Sequence, residues 1–223
     1  NVPAVKLAQA VGTKRILQTA QSLGIRSPLA DNLSIALGTS SLSLLEITSA
    51  YGVIANGGVA VTPTALQSVL TGEGDSLWHH TPERRQAVSP QAAYVVTSLL
   101  KGVVERGTAA KAKTMGVRGI VAGKPGVGVG FDDEEPLRLT GAQAALPIWA
   151  DFMRQTLSPV PKDFPIPPGI VTREVDPKTG QLATSRCPER MVEVFIEGTE
   201  PSVPCEVHGE GLWERLKRSF GIY

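Results

Sequence analysis

Apolar residues recur at helical spacing through the first two thirds of the chain and at strand spacing near its end. Residues 2–11 are rich in Ala and Val, with Pro3 where a first turn tolerates it, and predict a helix. Residues 13–23 predict a second: Thr13 is a candidate N-cap, Ile16, Leu17, Ala20 and Leu23 form one stripe, and Gly24 closes it. Residues 27–39 read as a loop with a short apolar centre at 33–37. Ser43-Leu44-Leu45-Glu46 has the form of a capping box and opens a helix with Leu44, Ile47, Tyr51 and Ile54 on one face. Asn56-Gly57-Gly58 ends that helix. Short strands are predicted at 59–62, 65–70 and 77–80, broken by Pro63 and a turn at 72–75.

Ser89-Pro90 starts a long helix, with Ala93, Val96, Leu99, Leu100, Val103 and Val104 on its buried side and Gly107 as its stop. Thr108 is a candidate cap for a short helix ending at Gly116. Residues 119–133 predict a strand carrying Lys124, then a second strand. Thr140-Gly141-Ala142-Gln143 forms another capping box, and Ala145, Leu146, Trp149, Phe152 and Met153 mark the apolar face behind it. Pro147 is expected to kink this helix or confine it to the part beyond. Residues 158–169 hold five prolines and predict a linker. The domain organisation is thus 1–157, the linker at 158–169, and a strand-rich module at 170–223. In the module, strands at 170–175 and 181–184 flank a turn at Asp176-Pro177-Lys178-Thr179-Gly180, and a third strand spans 191–196. Residues 212–220 form a short basic amphipathic tail. The fold class is α+β.

Composition narrows the function classes. The chain has 223 residues, 42% of them hydrophobic and 19% charged, which excludes disorder. A net charge of +1 and 5% aromatic residues argue against nucleic acid as a partner. No apolar run approaches the ~18–20 residues of a membrane span. Asn1 leads straight into a helical pattern, so the chain is expected to begin inside a larger protein. Cys187 and Cys205 both lie in the last fifth of the chain. A disulfide between them, worth about 3 kcal/mol, and two unrelated thiols both remain open.

Candidate chemistry is sparse. His79, His80 and His208 have no metal-ligand spacing with the cysteines, and His79 and His80 are expected to be solvated; no metal and no cofactor are expected. Gly126, Gly128 and Gly130 alternate with valines, but the spacing is wrong for a dinucleotide loop. The acidic run at 132–135 reads as a solvated turn. There is no Gly-x-Ser-x-Gly, Walker loop or His-Glu-x-x-His.

The remaining signal is a resemblance carried by several segments in order. They are Val2-Pro3-Ala4-Val5-Lys6-Leu7-Ala8, Ala36-Leu37-Gly38-Thr39-Ser40, Glu46-Ile47-Thr48-Ser49-Ala50-Tyr51 and Ile54-Ala55-Asn56-Gly57-Gly58. Leu99-Leu100-Lys101-Gly102-Val103-Val104 with Gly107-Thr108-Ala109, and Val121-Ala122-Gly123-Lys124, follow. Thr140 to Trp149, and Phe195-Ile196-Glu197-Gly198-Thr199-Glu200-Pro201 ahead of Cys205, complete the set. Together they resemble the transpeptidase domain and C-terminal module of class A penicillin-binding proteins, over nearly the whole chain.

The resemblance implies an incomplete penicillin-binding transpeptidase fold, similar to serine β-lactamases: an antiparallel sheet flanked by helices, then a small strand-rich module. It implies a serine acyl-enzyme acting on peptidoglycan stem peptides and acylated by β-lactams. It also implies possible cell-wall synthesis partners and a location outside the cytoplasmic membrane, anchored by an upstream helix. That location would favour a Cys187–Cys205 disulfide. The family uses Ser-x-x-Lys, a Ser-x-Asn-type motif and Lys-Thr-Gly. Asn1 matches the asparagine of the second motif. Lys124 matches the lysine of the third, the carboxylate-binding position, with Gly126 as its glycine, but Pro125 replaces the threonine. Lys178-Thr179-Gly180 spells the third motif in a turn beyond the linker and is read as a turn. No Ser-x-x-Lys precedes the matching region, so the nucleophile is expected to be missing and the chain inactive alone. Lys124-Pro125 reads either as a junction left by a deletion, favoured because both flanks match, or as a degenerate homologue. The competing functional reading is a non-catalytic scaffold that binds peptidoglycan or a partner.

Overall fold

The structure, a computed structural model, describes residues 2–123, 141–157 and 162–208. It divides into two compact units, Asn1–Phe164 and Pro165–Tyr223, and the division falls inside the proline-rich stretch.

The first unit opens with α1 (Val2–Val11) and α2 (Thr13–Ser22). Gly12, at φ 87°, is the N-cap of α2, and a left-handed residue is what the tight break between the two helices needs. Thr13 is therefore the first helical residue and not the cap; its hydroxyl donates to Asp31 Oδ1 at 2.5 Å. Leu33–Leu37 is a 3-10 turn, capped by the Asn32 side chain and closed by left-handed Gly38. Helix α3 (Leu44–Ala55) begins with the expected capping box, Ser43 accepting from Glu46 N–H and Glu46 accepting from Ser43 N–H. Glu46 does more than cap. One of its oxygens accepts the backbone N–H of Arg26 and of Ser27, both at 2.8 Å, and the other accepts the Ser27 hydroxyl at 2.6 Å. The entry to α3 is thus tied to the chain that leaves α2.

Strands β1 (Val59–Val61), β2 (Ser68–Leu70), β3 (Ser76–His79) and β4 (Arg84–Gln86) form two antiparallel ladders, β1 with β4 and β2 with β3. β4 carries no apolar alternation and was not expected from the sequence. Its register is fixed at Gly58, whose carbonyl accepts from Ala87 and Val88 N–H and whose φ of 85° leaves no room for a Cβ beside Val88. His79 is exposed, as expected. His80 is not fully solvated: it is half-buried beside Trp78, with ring centroids 6.0 Å apart, and its Nε2 is buried.

Helix α4 (Pro90–Glu105) is capped by Ser89 as expected. Its buried positions are Ala93, Thr97, Gly102 and Val104, whereas Val96 and Leu99 are 38% and 59% exposed. Thr97 is tolerated inside because its hydroxyl donates to the Ala93 carbonyl at 2.9 Å. A 3-10 turn at Ala110–Lys113 follows, with no side-chain cap, so Thr108 does not play the role expected of it. Helix α5 (Gly141–Thr156) continues across Pro147, which therefore does not confine it to the part beyond. Among its described side chains, Leu146, Ala145 and Ala150 are buried, while Phe152 is exposed. Leu146 and Ala150 meet Val104, Ala109, Ala112, Val117 and Val121 in one core cluster.

The second unit is a ladder of β5 (Ile170–Val175) with β6 (Met191–Ile196), antiparallel from Ile170↔Ile196 to Val175↔Met191. Residues 181–184 do not form the strand expected of them. They return alongside β5 only as a single bridge, Val175↔Leu182, and Leu182 bridges to Pro204 in the parallel sense. The α+β class and antiparallel pairing hold, as three two-stranded ladders among the described residues. The expected strand pair at 119–133 has no ladder over 119–123, and the rest of it, with the tail at 212–220 and Thr140, lies outside the described residues.

Two outcomes test this packing. The hydrogen bonds to Glu46, first that from the Ser27 hydroxyl, hold its carboxyl well below its ordinary value of 4.5. A depressed carboxyl contributes stability that is complete above the unfolded value and is lost as pH falls through the folded one. Glu46→Gln should therefore lower Tm at neutral pH, and the gap to the parent should shrink progressively below pH 4.5, as read by thermal denaturation across an acid series. Leu146→Ala, at a site that is 2% exposed, should cost about 2–5 kcal/mol in denaturant unfolding.

Candidate functional site

Among the described residues, three places gather polar or ligand-binding potential, and each is built by different elements. The first is the approach to Lys124. Lys124 itself, Pro125, Gly126 and Asn1 lie outside the described residues, so their mutual geometry and the Lys124–Pro125 junction do too. The three residues before Lys124 are well placed. Val121 is buried in the core cluster, Gly123 N–H bonds the Leu100 carbonyl of α4 at 3.3 Å, and a Cβ on Gly123 would touch the Trp149 ring of α5 at 3.4 Å. Residues 121–123 thus meet α4 and α5 through one hydrogen bond and one buried valine.

Helix α4 also carries Ser98-Leu99-Leu100-Lys101, which spells Ser-x-x-Lys and which the sequence reading passed over. Its lysine is committed elsewhere. Lys101 Nζ meets both carboxylate oxygens of Asp163, at 2.8 and 3.0 Å, and the Asp163 carboxyl sits below its ordinary value chiefly through that hydrogen bond. A lysine bound in this way is directed at Asp163 and not at Ser98, so it is not placed to act as that serine's base while the pair is made.

The second place is an apolar cavity of about 460 Å³ in the first unit. The sequence-predicted stripes do converge, but on this space: Ile16 and Leu23 from α2, Ile47, Tyr51 and Ile54 from α3, and Val96 and Leu100 from α4 line it. This is why Val96 is more exposed than a filled core would leave it. Its lining is mostly aliphatic, with hydroxyls only at Thr19, Ser40 and Tyr51 and no carboxylate, imidazole, thiol or lysine to activate them, so it is a poor place for hydrolysis or acyl transfer.

The third place is in the second unit and was missed from sequence. Cys187 and Cys205 are unbonded thiols, both buried, and they meet Asp176 and His208. The ligand-capable atoms of these four residues all lie within 4.8 Å of one another. Asp176, 1% exposed, uses its two oxygens differently. Oδ1 accepts from Lys178 N–H at 2.8 Å and from Thr179 N–H at 3.4 Å, so Lys178-Thr179-Gly180 is a turn, with Gly180 at φ 71°. Oδ2 faces His208 Nδ1 at 2.6 Å and the Cys205 sulfur at 3.3 Å. Burial pushes the Asp176 carboxyl up, but the hydrogen bonds from Lys178 N–H, His208 and the cysteines outweigh it and keep it ionised well below the usual range. The hydrogen bond to Asp176 in turn raises the His208 ring above its ordinary value. The expectation that no histidine meets the cysteines is corrected by this geometry. The available signal was Cys205-x-x-His208, a short ligand spacing, together with an aspartate heading a turn.

Comparison with known proteins places both units. Residues 1–150 match the family model of the penicillin binding protein transpeptidase domain, and residues 166–210 match that of the penicillin-binding protein 1A C-terminal domain. Penicillin-binding protein 1A of Aquifex aeolicus is 32% identical over 92% of this chain and 31% of its own length. Penicillin-binding protein 2D of Bacillus subtilis is 29% identical over 92% of this chain and 33% of its own. The chain thus spans about a third of the length of these relatives. The crystal structure of penicillin-binding protein 1A from Haemophilus influenzae is similar in fold, with a TM-score of 0.80 over 92% of this chain and 39% of that one, at 22% identity. On the transpeptidase match over residues 1–150 and its relatives, the chain belongs to the penicillin-binding protein transpeptidase family.

Proposed function

We propose that this chain supplies the carboxylate-binding part of a DD-transpeptidase that cross-links peptidoglycan stem peptides through a serine acyl-enzyme. The match of residues 1–150 to the transpeptidase domain carries the proposal. In this reading Lys124 grips the substrate's terminal carboxylate by charge, and the backbone at Gly126 offers an edge to the peptide. Asn1 holds the substrate amide. The nucleophilic serine, and the lysine that takes its proton, come from residues other than those of this chain. β-Lactams acylate the same serine. The protein works outside the cytoplasmic membrane, held there by a helix that precedes these residues, and other cell-wall synthesis proteins are its partners. Among the described residues no helix is long and apolar enough to cross a membrane.

The bond between Lys101 and Asp163 supports the view that Ser98 is not a substitute nucleophile. Incubated with a fluorescent penicillin and run on a denaturing gel, the 223-residue chain should carry no label, and Ser98→Ala should be indistinguishable from it. A labelled band that survives denaturation would overturn the proposal that the nucleophile lies elsewhere. Loss of that band in Ser98→Ala would assign it to α4.

A further inference from the structure

We propose that the second unit is organised by a structural zinc ion bound by Asp176, Cys187, Cys205 and His208. The inference is independent of the transpeptidase reading.

The donor set is the first argument. Two sulfurs, one imidazole nitrogen and one carboxylate oxygen form a four-donor set of the kind that closes a tetrahedral zinc site, and the thiolates exclude calcium and magnesium. Geometry is the second. Zinc with bonds of about 2.0–2.3 Å sets its donors roughly 3.3–3.8 Å apart. The Cys205 sulfur lies 3.3 Å from Asp176 Oδ2 and 3.6 Å from His208 Nδ1. The 2.6 Å contact between Asp176 and His208 is the hydrogen bond that metal would replace, and it opens by less than an ångström to fit.

The surroundings of the sulfurs are the third argument. Thr184 N–H points at the Cys187 sulfur at 3.2 Å, and His208 N–H points at the Cys205 sulfur at 3.4 Å. The Thr179 hydroxyl donates to the Cys205 sulfur at 3.6 Å. Donors arranged around the sulfurs orient them, the task of outer partners at a metal site. Asp176 is oriented in the same way, since Oδ1 is fixed by the turn and Oδ2 alone faces the cluster.

Packing is the fourth. Among the described residues of this unit, the buried side chains are Val175 and three of the four ligands. A unit this small rarely stands on apolar burial alone and needs a bridge or a metal. The four ligands join the turn after β5, the loop at 184–187 and the segment after the Leu182↔Pro204 bridge, three pieces that no long ladder connects. On binding, the ion forms two zinc–sulfur bonds, one to nitrogen and one to oxygen; each thiol releases its proton to solvent, and the proton shared between His208 Nδ1 and Asp176 passes to Nε2, or to solvent where Nε2 already carries one. No electron is transferred. A Cys187–Cys205 disulfide would instead consume both sulfurs and leave Asp176 Oδ2 paired with His208 alone.

The test uses the whole chain, purified without chelator from zinc-supplemented cells. Elemental analysis should find one zinc per chain. Both thiols should resist a thiol reagent until a chelator removes the metal, and metal removal should lower Tm reversibly. Replacing zinc with Co²⁺ should give thiolate charge-transfer absorption and intense tetrahedral bands. Cys205→Ser and His208→Ala should weaken zinc binding by more than the ~10–100-fold expected for loss of an outer partner. If these variants fail to fold, the cobalt spectrum of the parent still decides. A chain two hydrogens lighter with no zinc would overturn the proposal in favour of the disulfide. Free thiols with zinc taken up only at high concentration, or a cobalt spectrum without sulfur character, would overturn it as well.

Discussion

A carboxylate taken out of water must have both oxygens matched, and Asp176 imposes that condition on the second unit. One oxygen is satisfied by the N–H groups of Lys178 and Thr179, which sets the turn after β5. The other looks into a small polar centre made by His208 and the two cysteines. The bridges of Leu182 to Val175 and to Pro204 are what bring Cys205 to that centre. Removing the charge at Asp176 would therefore leave the turn and the buried cluster without a shared acceptor.

The first unit follows a related logic with exposed parts. Glu46 is a shared acceptor for Arg26, Ser27 and Ser43, so one carboxylate fixes both the start of α3 and the loop before it. Lys101 and Asp163 pair α4 with the chain beyond α5. Between these polar ties, the apolar stripes of α2, α3 and α4 line a cavity while Leu146 and Val121 close a separate core with α4. That core, with the hydrogen bond from Gly123 to Leu100, holds the chain as far as Gly123.

Local signals carried much of this architecture in the sequence. Ser43 with Glu46, and Ser89 with Pro90, are short-range caps, and both helices start where those residues place them. The β5 and β6 segments keep enough Val and Ile to be recognised, and their bounds agree with the structure. Other features depend on distant partners. Arg84-Arg85-Gln86 is a strand only because β1 lies beside it, and nothing in those polar residues announces it. Val96 and Leu99 fall on a helical stripe but are less buried than Thr97, because neighbours and not periodicity decide which face is covered. The cluster at Asp176 joins residues up to 32 positions apart, and only the short Cys205-x-x-His208 spacing hinted at it. The family assignment was legible because it rests on many weak segments in order, and the transpeptidase match over 1–150 agrees with it. The roles of Asn1, Lys124 and Gly126 rest on that resemblance.

The account is most exposed at the polar centre of the second unit, where two sulfurs, a carboxylate and an imidazole converge. X-ray absorption at the zinc edge of the purified chain reads that centre directly. A first shell of two sulfurs at about 2.3 Å and two nitrogen or oxygen atoms at about 2.0–2.2 Å is the expected result. An edge with no bound zinc, or a shell without sulfur, would contradict it.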